Sequence, residues 1–285
     1  MLFSIFMTDL FFYREFSWYK SYHYRDDIRV TGTFYYLGPN ELGAFFGQYG
    51  VFVFALLVFV RRNLEKIMLG ILFLFTFYCL MHTFSRAAYF AFPLGILLII
   101  FFRNKKWLVL SIILLVFVLI FPYRFLPVSV VDRINMTTAP EQKQGEEETY
   151  DRSTETRFEF TEKGFDLFQE SPILGTGFRT YSLIVGRDTH NNYMKVLSES
   201  GIIGFALYVL LYLMSIKMGW KLYKTSKDQF MKGLGMGFIA CVVTNMVVNI
   251  PHDCWSYLNL MGFYWVILGL VVRSIIIVEG QKSTV

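Results

Sequence analysis

The chain has 285 residues, of which 55% are hydrophobic and 19% aromatic, while only 17% carry a charge. A soluble domain carries roughly 25% charged residues, so this composition excludes an ordinary soluble globular protein. The formal net charge of +5 gives no support to nucleic-acid binding, because the basic residues stand in short turns between apolar runs. The composition predicts an all-α polytopic membrane protein.

Seven apolar runs approach the ~20 residues that a helix needs to cross a hydrocarbon core of about 30 Å. In chain order, the predicted spans are 42–60, 67–83, 87–102, 107–121, 194–216, 233–250 and 258–278. They divide the chain into an N-terminal interfacial segment, a four-helix half, a long loop, a three-helix half and a tail. These regions cover residues 1–41, 42–121, 122–189, 190–278 and 279–285.

The short basic turns between the spans predict the orientation of the chain in the membrane. Three turns carry net charges of +2, +3 and +4, and they begin at Arg61, Arg103 and Lys217. Lys and Arg in short loops are retained in the cytoplasm, so we expect these turns and the tail 279–285 there. The N-terminal segment 1–41 and the long loop 122–189 are then expected on the extracytoplasmic side.

The predicted spans contain almost no ionisable side chain near their middle. A proton- or ion-coupled transporter usually needs polar or charged groups at the membrane midplane. This pattern therefore argues against a transporter. We expect any functional site at the extracytoplasmic surface. Gly233, Gly235 and Gly237 stand inside one span, where small residues favour close helix packing.

The long loop contains one predicted amphipathic helix, at about 153–170. Its apolar stripe repeats at helical spacing through Phe158, Thr161, Phe165 and Phe168. The helix is expected to end before Pro172, because the residue that precedes a proline disfavours the helical conformation. Such a helix can lie on the membrane surface or pack over the bundle. Gly175-x-Gly177 follows, and we interpret it as a flexible turn.

The chain re-enters the membrane through a polar stretch that contains a histidine. Thr189 is suited to be an N-cap, which would place His190 on the first turn of a continuous helix, on one face with Met194 and Leu197. An imidazole titrates near neutral pH, so His190 can take a proton from a hydroxyl as a general base. The alternative is a histidine satisfied by water or lipid.

Several basic residues are predicted near the same surface. They are His82, Arg86, Arg157, Arg179, Arg187 and His190. His82 and Arg86 are four residues apart and share a helical face if the helix continues through Ser85. Guanidinium groups bind phosphate oxygens in a bidentate manner, so this set suits a lipid-linked diphosphate. Alternatively, single arginines extend toward ordinary lipid phosphates.

The sequence gives no signal for a metal site or a cofactor. It has no Asp-x-Asp pair, no His-Glu-x-x-His stretch and no closely spaced cysteine pair. We therefore expect neither a metal nor a cofactor. His252-Asp253 lies in a short loop and is interpreted either as an accessory pair or as two solvated side chains.

Several motifs together resemble the O-antigen ligase and O-antigen polymerase superfamily, over about residues 29–275. They are Arg29-x-x-Gly32-Thr33-Phe34, Ser85-Arg86-Ala87-Ala88, Ser171-Pro172-Ile173-Leu174-Gly175-Thr176-Gly177 and His190-Asn191-x-Tyr193 with Glu199-x-Gly201. The last of these, which follows a long loop, is the most specific. The superfamily resembles C-type glycosyltransferases, which are polytopic and use undecaprenyl-diphosphate-linked glycans at the outer face of the bacterial cytoplasmic membrane.

The resemblance implies roles for the matching residues. Arg86 and Arg157 would hold the diphosphate, with Arg179 and Arg187 as further diphosphate-binding candidates. His190 would activate an acceptor hydroxyl for inverting attack, without a metal. The accessory residues implied are His82, Asn191, Tyr193, Glu199 and Arg29.

The partners implied are an undecaprenyl-diphosphate-linked oligosaccharide, a glycan or lipid-linked acceptor, the lipid bilayer and other polysaccharide-assembly proteins, with no nucleic acid. The expected reaction polymerises O-antigen, capsule or exopolysaccharide repeat units. The alternatives are an O-antigen ligase of lipopolysaccharide, a protein O-glycosyltransferase, a polysaccharide transporter or flippase, and an inactive fragment. Superfamily members usually have more spans than the seven predicted here, so we expect that further N-terminal spans are missing from this chain.

Overall fold

The computed structural model describes residues 1–19, 37–125, 128, 130–131, 152–187 and 189–283. These ranges are helical, without a strand. The main helices are α1 Leu2–Tyr19, α2 Pro39–Phe59, α3 Asn63–Met81, α4 Arg86–Arg103, α5 Lys105–Ile120, α6 Pro122–Phe125, α7 Arg152–Glu170, α8 Thr180–Val185, α9 Asn192–Thr225, α10 Gln229–Val248 and α11 Leu258–Ser283. Arg29 lies outside the described residues, as does the side chain of Arg157, whose backbone belongs to α7.

Six described helices are long and apolar enough to cross a membrane, and they are α2, α3, α4, α9, α10 and α11. The predicted fourth span, 107–121, forms α5, which has only 16 residues. At 1.5 Å per residue its length is about 24 Å, shorter than a hydrocarbon core of about 30 Å. The prediction of an all-α polytopic membrane protein is confirmed, with six helices of spanning length among the described residues instead of seven.

Helix α2 is the most buried of the spanning helices and packs against α3, α4 and α10. Small residues on its neighbours permit the close approach of the backbones. A Cβ atom added at Gly237 of α10 would lie 3.0 Å from the Cβ atom of Ala55, and one added at Gly95 of α4 would lie 2.8 Å from Val51. The close packing predicted for the glycines of α10 is confirmed.

The N-terminal helix α1 packs along α3. The hydroxyl of Thr76 donates to the carboxylate of Asp9 at 2.7 Å, and Asp9 is fully buried. The sequence did not indicate this contact between an acidic side chain and a spanning helix. It predicted an interfacial segment over 1–41.

Four connections of the bundle meet at one end, which we call the upper end. A Cβ atom added at Gly43 of α2 would lie 2.3 Å from the Cβ atom of Ser85, just before α4. Glu41 Oε1 lies 3.5 Å from His252 Nε2. The backbone N–H of Asn192 donates to a carbonyl of the loop 249–257 at 3.1 Å. The starts of α2, α4 and α9 and the loop 249–257 therefore lie together.

Helix α9 is broken at Gly201, whose φ of 61° and ψ of −167° fall in a region that essentially only glycine adopts. The sections 192–200 and 202–225 meet there at a sharp angle. As a result, the side-chain amide of Asn192 donates to the hydroxyl of Tyr208 at 2.6 Å. The prediction of one continuous helix over 194–216 is wrong, because the break folds the section 192–200 back against the next two turns.

Candidate functional site

His190 lies just before α9 at the upper end, and its side chain is exposed. The N-cap is Asn191, whose side-chain oxygen accepts from the backbone N–H of Met194 at 3.1 Å. The hydroxyl of buried Thr189 accepts from the N–H of Asn191 at 3.0 Å. The prediction of Thr189 as N-cap and His190 in the first turn is therefore wrong, because an asparagine two residues later caps the helix. His190 instead stands in a fixed turn outside the helix.

The amphipathic helix α7 packs over the start of α9. A Cβ atom added at Gly164 of α7 would lie 2.5 Å from the side chain of Met194. The ring of Phe160 lies 6.3 Å from the His190 ring. Tyr181 donates through its hydroxyl to the carbonyl of Phe160 at 2.6 Å. Of the two positions that the sequence left open for this helix, packing against the bundle is the one observed.

The two motifs around Gly175 and Gly201 form one interlocked unit. The N–H of Thr176 donates to Ser198 O at 3.0 Å, and the N–H of Ile202 donates to Pro172 O at 2.9 Å. A Cβ atom added at Gly175 would lie 2.3 Å from the backbone of Glu199. The prediction of a flexible turn at Gly175-x-Gly177 is wrong, because its backbone groups fill the break in α9.

Glu199 connects the interlocked unit to the start of α8. Its carboxylate accepts from the backbone N–H of Tyr181 at 3.2 Å and from that of Arg179, at the start of α8. Arg179 has a left-handed φ of 62°, and its side chain is exposed, like that of Arg187 beyond α8. A chain of contacts therefore connects His190, through Phe160 and Tyr181, to Glu199 and Arg179.

The turn that precedes α4 separates His82 from Arg86. Phe84 has a φ of 52°, which ends α3 and lets α4 begin at half-buried Arg86. His82 and Arg86 would share a helical face only if the helix continued through Ser85, and this turn shows that it does not. His82 Nδ1 lies 2.8 Å from the carbonyl of Tyr78, and burial lowers the pKa of His82 below its ordinary 6.5. Burial therefore disfavours a positive charge on His82.

Residues 71–209 match the family model described as O-antigen ligase. This match supports the resemblance of the chain to the O-antigen ligase and O-antigen polymerase superfamily. A search of the curated proteins finds no match. The matched range begins in α3 and ends in α9, so this O-antigen ligase domain contains Arg86, α7, the interlocked unit and His190. The suspected resemblance is confirmed.

Tyr193, an accessory candidate in the O-antigen ligase domain, contacts α10 and the second section of α9. Its hydroxyl donates to Met246 O of α10 at 2.7 Å, and its ring contacts Phe205 and Tyr208. The side chain of Tyr193 therefore joins the two arms of α9 to α10.

Two polar side-chain pairs at the upper end were not predicted from the sequence. Lys195 Nζ lies 2.8 Å from Asp253 Oδ2 and also donates to Ser256 Oγ at 2.8 Å. His252 faces Glu41 across 3.5 Å. The interpretation of His252 and Asp253 as solvated loop residues is wrong, since both are buried. A signal existed, because Lys195 and Glu199 are charged residues inside the predicted span 194–216.

A buried network of neutral polar side chains lies beneath the start of α9. The Tyr212 hydroxyl donates to Asn245 Oδ1 at 2.6 Å, and Asn245 Nδ2 donates to Gln48 at 3.1 Å. Trp255 Nε1 donates to the Tyr212 hydroxyl at 2.8 Å. Gln48, Tyr212 and Asn245 are uncharged and stand within apolar runs, so the distribution of ionisable residues alone does not predict this network.

Metal-binding residues do not cluster in the described ranges: no group of three or more His, Cys, Asp or Glu side chains there could hold an ion. The three cysteines, Cys79, Cys241 and Cys254, are free and buried. The polar chemistry offered at the upper end is thus an exposed imidazole, exposed guanidinium groups, the buried ion pair of Lys195 with Asp253 and the contact of His252 with Glu41.

Proposed function

We propose that this protein is a membrane glycosyltransferase that polymerises repeat units of a surface polysaccharide, either O-antigen, capsule or exopolysaccharide. The donor is an undecaprenyl-diphosphate-linked oligosaccharide, and the acceptor is a hydroxyl of another glycan. The observation that carries the proposal is the exposed imidazole of His190, held in a turn within the O-antigen ligase domain. A fixed, solvent-accessible base suits the activation of an acceptor hydroxyl.

In the proposed reaction, His190 takes the proton of the acceptor hydroxyl as its oxygen attacks the anomeric carbon of the donor. The bond between that carbon and the diphosphate breaks, the configuration inverts, and undecaprenyl diphosphate leaves with the bonding electron pair. Arg86 and Arg157 bind the diphosphate, and Arg179 and Arg187 are further candidates for this role. Guanidinium groups stabilise the charge that develops on the leaving phosphate.

The proposed location is the bacterial cytoplasmic membrane, with the upper end on the extracytoplasmic side. The basic turns between α2 and α3, between α4 and α5 and between α9 and α10 support this orientation, since such turns are retained in the cytoplasm. The upper end then opens toward the side where lipid-linked repeat units are assembled into polymer, together with other polysaccharide-assembly proteins.

One observation favours a second candidate function, the transport of the lipid-linked glycan. The network around Tyr212 and Asn245 buries polar groups between spanning helices, and transporters place such groups along the substrate path. The side chains of this network are neutral and hydrogen-bonded to one another, and only the buried side-chain nitrogen of Gln48 lacks a partner among the described residues. We therefore favour a structural role for the network and the transferase as the function.

The test is reconstitution of the full chain in nanodiscs with an undecaprenyl-diphosphate-linked repeat unit. The expected result is a ladder of longer glycans with release of undecaprenyl diphosphate. Arg86→Ala is expected to weaken donor binding, while Arg62→Ala, at the exposed lower end, leaves it unchanged. Transfer only to lipid A core or to a protein would indicate a ligase or a protein glycosyltransferase. A parallel reconstitution in liposomes measures movement of the lipid-linked glycan across the bilayer. Such movement without any transfer would contradict the proposal in favour of transport.

A further inference from the structure

Five large apolar side chains are strongly exposed in a short segment outside the spanning helices. Ile173, Leu174, Phe178, Leu183 and Ile184 each have 60–86% of their surface accessible. Clustered apolar exposure of this kind marks a surface that contacts a partner or a membrane. We propose that residues 171–187, here called the docking tip, insert these side chains into the lipid headgroup region at the upper end.

The charges of the docking tip favour a lipid surface over a protein surface. The segment contains two exposed cations, Arg179 and Arg187, and no acidic residue. Apolar side chains flanked by arginines are typical of segments that lie in the membrane interface, where the arginines contact lipid phosphates. The occupant of this surface is therefore the phospholipid of the bilayer itself.

The docking tip is continuous with the lipid-facing surface of a spanning helix. The N–H groups of Ile202 and Ile203 donate to Pro172 O at 2.9 Å and Ile173 O at 3.4 Å. Ile202 and Ile203 are themselves exposed and open the long section 202–225 of α9. The exposed side chains of the docking tip thus extend an apolar surface that already belongs to the membrane.

The depth of the docking tip is fixed by the interlocked unit. A Cβ atom added at Gly201 would lie 2.3 Å from Ile173 O, and Glu199 accepts from the backbone at Tyr181. These contacts prevent the segment from moving independently of α9. Insertion of the docking tip therefore holds the turn at His190 near the headgroup level. Its relevance to catalysis rests on the proposed function, but the insertion itself does not.

The experiment uses the full chain in nanodiscs of phosphatidylethanolamine and phosphatidylglycerol, with an environment-sensitive fluorophore on a single introduced cysteine. The three native cysteines are buried, so the introduced thiol is the accessible target. Leu183→Cys and Phe178→Cys place the label in the docking tip. Leu210→Cys, exposed on α9, serves as the lipid-facing control, and Glu162→Cys, exposed on α7, serves as the aqueous control.

We expect labels at positions 178 and 183 to be quenched by nitroxide-bearing lipids several-fold more than the label at 162, and to resist quenching by iodide. Quenching by iodide to the extent seen at 162 would overturn the inference. Protection from both quenchers would also overturn it, because another protein segment or a second copy would then cover the surface. The readout does not depend on transfer, so an inactive chain with lipid-quenched labels would reject the proposed function alone.

Discussion

The side-chain amide of Asn192 donates to the hydroxyl of Tyr208 at 2.6 Å, although sixteen residues of α9 separate them. In a straight helix, sixteen residues correspond to about 24 Å along the axis. The contact exists because Gly201 folds the first arm of α9 back onto the second. This fold presents the turn that holds His190 beside the bundle, where α7 and the loop 249–257 support it.

The break in α9 predicts that Gly201→Ala is strongly destabilising. The backbone conformation costs a non-glycine residue about 1–3 kcal/mol, and the added Cβ atom would lie 2.3 Å from Ile173 O. We expect a clear fall in the thermal unfolding temperature in detergent. Gly262→Ala is the matched control, because a Cβ atom there meets nothing within 4 Å. Equal unfolding temperatures for the two variants would contradict this description of the break.

The buried pair of Lys195 and Asp253 predicts a large coupling energy. Lys195→Met leaves a buried carboxylate without its cation, which costs about 3–5 kcal/mol. The double variant Lys195→Met with Asp253→Asn is expected to recover much of that loss. A double-mutant cycle measured by chemical denaturation gives the coupling.

The control for that cycle is the exposed pair of Lys221 and Glu279, which lie 2.7 Å apart. Exposed pairs contribute about 0–1 kcal/mol. If both pairs gave the same small coupling, Lys195 and Asp253 would not hold the start of α9 to the loop 249–257.

The lowered pKa of His82 predicts a dependence of stability on pH. Burial disfavours the charged imidazole, so the unfolded chain binds this proton more readily than the folded one. The contribution to stability is present above the ordinary pKa of 6.5 and declines as the pH falls below it. As the pH falls from about 8 to about 5, the unfolding temperature of His82→Asn should therefore fall less than that of the parent protein. Thermal unfolding at each pH measures the difference. Parallel curves for the two proteins would refute this assignment.

The sequence was sufficient for the fold class, because apolar runs and polar turns are local signals. It was not sufficient for the fold-back of α9, since Gly201 and Gly204 stand three residues apart in the same stretch and only Gly201 has a left-handed φ. The turn at Phe84 was hidden in the same way, because a left-handed φ is unusual for an aromatic residue. Lys195 and Asp253 are 58 residues apart, and only the tertiary structure brings them together.

The most direct measurement compares the transfer rate of the full chain with that of His190→Ala, using an undecaprenyl-diphosphate-linked repeat unit in nanodiscs. A general base contributes about 10²–10⁴-fold to the rate, so we predict a loss of that size with unchanged donor affinity. Donor affinity is measured on the same samples, and Arg62→Ala controls for handling of the variant proteins. A His190→Ala protein that is folded, binds donor and transfers glycan at the parental rate would contradict the assignment of His190 as the base.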